Sequence, residues 1–132
     1  MSPELTMLAY SAALLAVVIL FHATLGILDN GLVTMAGNRD ALPADKTLSA
    51  RAKRTAANHI EWMVVFAPLV LIAALADISN QWTILGAQLF FYGRLAHAPL
   101  YIIGIPWLRS AAWFVTIAGT VLVFLALIGI LA

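Results

Sequence analysis

Apolar residues run through four long stretches of the chain, and polar or helix-breaking residues gather at only three places between them. This pattern predicts four helices. The first covers about residues 3–35, with Ser2 placed to cap it and Pro3 suited to its first turn. Gly37, Asn38, Arg39, Asp40 and then Pro43 mark its end. The second covers about residues 48–76 and is polar through its first three turns, too far for capping alone. Asp77, Ser79 and Asn80 form a tight turn before the third helix, about residues 81–103. Gly104 and Pro106 then separate it from the fourth, about residues 106–131. The helix pairs do not repeat in sequence, and no segment is of low complexity.

Each stretch is long enough for the ~30 Å hydrocarbon core of a bilayer, which takes about 20 residues at ~1.5 Å each. Composition points the same way. The chain is 64% hydrophobic and 10% charged with a mean hydropathy of +1.01, against about 45–50% and about 25% in soluble domains. The expected fold is therefore all-α, an integral membrane four-helix bundle in a single domain over residues 1–132, with no room for a soluble domain. The first apolar run lacks a basic flank and exceeds the usual ~7–15 residues of a signal-peptide core, so it reads as a retained helix.

The net charge is only +1, but five of the seven basic residues, Arg39, Lys46, Arg51, Lys53 and Arg54, fall in one stretch. The positive-inside rule places that stretch and Arg109 in the cytoplasm, and both termini on the non-cytoplasmic side. A pI of about 8.2 with Asp40 and Asp45 interleaved argues against a nucleic-acid partner. With no cysteine, disulfides, thiolate metal sites and a cysteine nucleophile are excluded. His22, His59 and His97 are scattered, without carboxylates at ligand spacing, so no metal site is expected.

Candidate chemistry lies on two stripes. Arg51, Arg54, Asn58 and Glu61 stand at offsets that confine them to an arc of about 80° on the second helix. Glu61 lies inside an apolar run, where an unpaired carboxylate costs several kcal/mol. It is expected to face the bundle interior and pair with Arg94 or Arg54. Arg94, His97 and Tyr101 occupy about 60° of the third helix, and Arg109 and Ser110 open the fourth. Lys53 and Arg39 read as interfacial anchors, and Pro68 and Pro99 as sources of helix curvature. Arginine forks match carboxylates, while Asn58 and Glu61 can receive an ammonium or amide. The two stripes together fit a small zwitterionic anion. An arginine beside a bound thiol would favour the thiolate.

The segments RAKRTAANHIE, residues 51–61, and RLAHAPLYIIGIPWLRSAAW, residues 94–113, resemble the signatures of the MAPEG family, membrane-associated proteins in eicosanoid and glutathione metabolism. Length and span count fit along essentially the whole chain, and the pattern is most similar to bacterial-type members. The resemblance implies a homotrimer in the bacterial inner membrane, with glutathione bound between neighbouring subunits and open to the cytoplasmic side. It also implies that Arg54, Asn58, Glu61, His97 and Tyr101 contact glutathione, with Arg51 and Arg94 as supporting charges. Arg109 would stabilise the thiolate with Ser110 beside it, and a lipophilic electrophile would arrive from the lipid. The implied activity is a glutathione-dependent transferase or peroxidase-like reaction. Three positions depart from the pattern. Ala57 replaces an arginine of some members and Trp113 a tyrosine, and Thr34 lies where a basic residue is donated across the interface. A non-catalytic member binding a small anion or lipid is the first alternative. A small proton-coupled transporter using Glu61 is the second.

Overall fold

The computed structural model describes residues 1–132, and its only regular elements are helices: α1 (Pro3–Asn30), α2 (Leu32–Ala36), α3 (Thr47–Leu75), α4 (Gln81–Ile103) and α5 (Pro106–Leu127). Ser2 caps α1 by accepting a hydrogen bond from Leu5 N at 3.3 Å, with Pro3 in the first turn. The helix expected over residues 3–35 is in fact two. Gly31 adopts φ 84°, ψ 153°, which ends α1 and leaves Leu32–Ala36 as a separate turn and a half. The last helix also stops earlier than its apolar pattern, at Leu127, because Gly129 turns the chain with φ 79°.

Asn80 starts α4 with a capping box: its side chain accepts from Trp82 N and Thr83 N, and Thr83 Oγ1 accepts from Asn80 N at 2.9 Å. Its amide also donates to Leu131 O at 3.3 Å, fastening the chain beyond α5 to the start of α4. Asn80→Ala is therefore expected to cost about 1 kcal/mol, read as a lowered Tm of the detergent-solubilised protein.

Helices α1, α3 and α5 are each long and apolar enough to cross a membrane. Polar contacts at the helix ends fix the relative directions. At one end Glu4 of α1 meets Ser79 and Thr83 beside and within α4. At the other, Asp29 of α1 accepts from Ser49 of α3 and pairs with Lys46, while Arg51 of α3 reaches Ile103 O of α4. So α3 runs antiparallel to α1 and α4, and α5 antiparallel to α4. The central core is Phe66, Val70, Ala87, Phe90 and Val123, with the Phe66 and Phe90 rings stacked at 3.7 Å. Many large apolar side chains, among them Leu20, Val64, Leu75 and Phe114, remain exposed, as suits contact with lipid.

α4 and α5 pack backbone against backbone. A Cβ on Gly86 would lie 2.6 Å from Gly119 O, and one on Gly93 would lie 2.6 Å from Thr116 Oγ1. Small residues along Gly86, Gly93, Ala112, Thr116 and Gly119 let the two backbones nearly touch. This contact holds the second polar stripe at a fixed depth against α5.

Candidate functional site

The start of α3, the end of α4 and the start of α5 meet at one end of the molecule, and there the two stripes join. Arg51 Nη1 donates to Ile103 O at 3.1 Å, and its guanidinium lies over Gly104, where a Cβ would stand 2.5 Å from Nη1. Gly104 also takes the left-handed conformation that caps α4. Both demands exclude a side chain there. Arg54 Nε donates to Tyr101 Oη at 3.2 Å, while the Arg109 guanidinium carbon sits 4.5 Å above the Tyr101 ring centroid. The His97 ring packs edge-on to Tyr101 at 5.5 Å. Ser110 donates its proton to Pro106 O at 3.0 Å and keeps its lone pairs free.

These groups surround two adjoining hollows. One, of about 280 Å³, is lined by Asn58, His97, Tyr101, Arg109, Ser110 and Trp113. The other, of about 170 Å³, includes Arg51, Arg54, Tyr101, Gly104 and Arg109 in its wall. Tyr101 and Arg109 belong to both, and neither hollow has a carboxylate in its lining. Three guanidinium groups therefore converge on space that no acid of the same chain neutralises. Such a site attracts anions, and its forks favour planar carboxylates.

Arg94 lies deeper and is 1% exposed. Nη1 donates to Asn58 Oδ1 at 2.9 Å and Nε to Thr116 Oγ1 at 3.2 Å, while Nη2 is buried without a partner. Because Asn58 Oδ1 is occupied, the Asn58 amide N–H groups are left for the hollow it lines.

The expectation that Glu61 faces the interior and pairs with Arg94 or Arg54 is overturned. Glu61 is exposed, and the ion pairs of the structure are Lys46–Asp29 and Lys53–Asp45. The reason is the direction of α3. Its buried face carries Ala52, Thr55, Ala56, His59, Phe66, Val70 and Ala73, and Glu61 stands about 160° around the helix from His59. The arc of four polar residues straddles the edge of the core. Arg51 and Asn58 lie on its half-buried side, Arg54 and Glu61 on its exposed side. The structure thus brings together Arg51, Arg54, Asn58, His97, Tyr101, Arg109 and Ser110, places Arg94 behind Asn58, and leaves Glu61 outside within a single chain.

Two parts of the site were missed from sequence. His59, one of the three scattered histidines, is 1% exposed in the core; its signal was the spacing of Ala52, Ala56, His59 and Phe66 on one helical face. Thr116, the second acceptor for Arg94, continues the small-residue series of α5. Arg94→Met is expected to lower stability by about 1–3 kcal/mol, since it strips the buried Thr116 hydroxyl and the half-buried Asn58 oxygen of their donor. Glu61→Gln should leave the Tm of the isolated chain unchanged. Thermal unfolding of both variants in one detergent checks the contrast.

The family model of the MAPEG family matches residues 7–129, nearly the whole chain. The chain belongs to the MAPEG family. With its three long apolar helices, this MAPEG protein is an integral membrane protein. No curated protein and no solved structure matches it.

Proposed function

We propose that this MAPEG protein is a glutathione-dependent transferase or peroxidase-like enzyme acting on lipophilic electrophiles. The observation that carries the reading is the pair of adjoining hollows on which Arg51, Arg54 and Arg109 converge without a carboxylate. Glutathione has two carboxylates, an ammonium and a thiol, so its anionic groups fit this donor set. When bound, it supplies the thiol nucleophile. Arg51 and Arg54 hold carboxylates at the open end, and the Asn58 amide, fixed by Arg94, donates to the peptide. Tyr101 accepts from Arg54 and keeps its own proton for the ligand. Arg109 holds the sulfur in its thiolate form, the reactive one, and Ser110 stands beside it. Trp113, packed edge-on against Trp62 at 6.0 Å, offers the apolar wall for the acceptor.

The same reading places α4 in the membrane beside the three apolar helices, as a four-helix bundle in a homotrimer. Glu61 then faces a neighbouring subunit and reaches the ligand from there. The arginine-rich end lies on the cytoplasmic side of a bacterial inner membrane, with both termini opposite.

A second reading, a non-catalytic member that binds a small anion or lipid head group, is favoured by the departures at Ala57 and Trp113, the latter putting an indole in the wall of the hollow where the resembled pattern has a tyrosine. The purified protein separates the two when titrated with glutathione by calorimetry and assayed for conjugation of a chloronitroaromatic acceptor. Binding with conjugation supports the enzyme. Binding without conjugation supports the second reading, and the absence of both rejects the glutathione site.

A further inference from the structure

At the end opposite the arginines, the start of α1, the end of α3 and the turn into α4 border a half-open cavity of about 130 Å³. Its polar lining is Ser2, Glu4, Asp77 and Ser79. Glu4 is only 2% exposed. Its Oε1 accepts from Thr83 Oγ1 at 2.5 Å and from Ser79 Oγ at 2.9 Å, while Oε2 is buried with no partner at all. Neither Glu4 nor Asp77 takes part in an ion pair, since both salt bridges lie at the other end. Every lysine and arginine falls between residues 39 and 109, so this cavity has two acids and no basic residue in its wall.

A buried carboxylate oxygen without a hydrogen bond is costly. A cation in the cavity would relieve that cost and the charge of Asp77 together. We propose that this cavity binds a divalent, oxygen-seeking cation, Ca²⁺ foremost. The donors are carboxylate and hydroxyl oxygens, the set that suits hard cations and not zinc or copper. Two carboxylates match a double charge, and about 130 Å³ leaves room for retained waters at roughly 30 Å³ each. Ca²⁺ accepts such a mixed, irregular shell, whereas Mg²⁺ demands a near-ideal octahedron. No three acidic, histidine or cysteine side chains converge here, which places the affinity in the weak class, about 10⁻⁴ to 10⁻³ M. The bound ion ties the start of α1 to the α3–α4 turn.

The test uses the full chain in detergent, stripped with chelator, its thermal unfolding followed across CaCl₂, MgCl₂ and NaCl series at constant ionic strength. Tm is expected to rise with Ca²⁺ and saturate in the millimolar range, with a smaller response to Mg²⁺ and none to Na⁺. Asp77→Asn and Glu4→Gln should both abolish the rise. Asp77→Asn leaves the hydrogen bonds of Glu4 in place, so it decides the question even where Glu4→Gln does not fold. An unsaturable response, an equal response to NaCl, or the same Ca²⁺ response in Asp77→Asn as in the unaltered protein would overturn the proposal.

Discussion

Replacing Arg109 by alanine is expected to lower kcat for glutathione conjugation about 10²- to 10³-fold, the usual effect of removing one donor aimed at developing negative charge. The accompanying change in Tm should be small. Arg109 makes no salt bridge, and its close contact within the chain is the face of Tyr101 at 4.5 Å, an interaction of about 0.5–1 kcal/mol at an exposed site. Its place in both hollows means that its charge is directed at what binds there. Arg109→Lys keeps the charge and loses the planar fork, so it should recover part of the rate. Steady-state kinetics at saturating glutathione, with thermal scans of the same preparations, check the split. A Tm loss as large as that of Arg94→Met, with unchanged kcat, would show that Arg109 only holds the helices together.

The largest effect on stability is expected from a single methyl group. In Gly119→Ala the new Cβ would stand 2.5 Å from Gly86 O and 2.6 Å from Phe90 N. Both are backbone atoms, so no side chain can rotate away and α4 must separate from α5. Ordinary overpacking costs about 1–3 kcal/mol; here the loss should exceed that range because the whole helix contact moves. Thr116 lies one turn before Gly119 and accepts from Arg94, so the separation also breaks the support of the site. The variant should fail to give a monodisperse folded fraction after extraction, while Ala118→Val, on the exposed face of the same helix, should behave as the unaltered protein. Size-exclusion chromatography and circular dichroism of the two variants provide the comparison.

The helix ends announced themselves in sequence because their signals are local. Ser2 with Pro3, Asn80, and Gly104 with Pro106 each act within a turn of where they stand. Gly31 was also visible, but the apolar residues after it continue the run and conceal the break that its backbone makes. The site was half legible for a similar reason. Spacing alone groups Arg51, Arg54, Asn58 and Glu61 on one side of α3, and Arg94, His97 and Tyr101 on one side of α4. Which flank of the α3 stripe turns inward follows the face carried by Ala52, Ala56, His59 and Phe66, and the spacing of the polar residues alone does not show it. Arg94 therefore meets Asn58 and Thr116 in place of Glu61. Arg94 is held by two neutral oxygens at 2.9 and 3.2 Å instead of a carboxylate, and its Nη2 stays without a partner in the chain.

The buried guanidinium of α4 also bears on how the chain is made. An arginine near the centre of a lone helix raises the cost of leaving the translocon for lipid by about 2.5–3.5 kcal/mol, and α4 is the one long helix that falls short of the apolarity of the others. Its first acceptor, Asn58, has already emerged from the ribosome when α4 is synthesised; its second, Thr116, has not. In the proposed four-span arrangement α4 is therefore expected to enter the bilayer together with α5, as a hairpin. On that arrangement, partition of this helix into the bilayer and its tertiary assembly are expected to coincide.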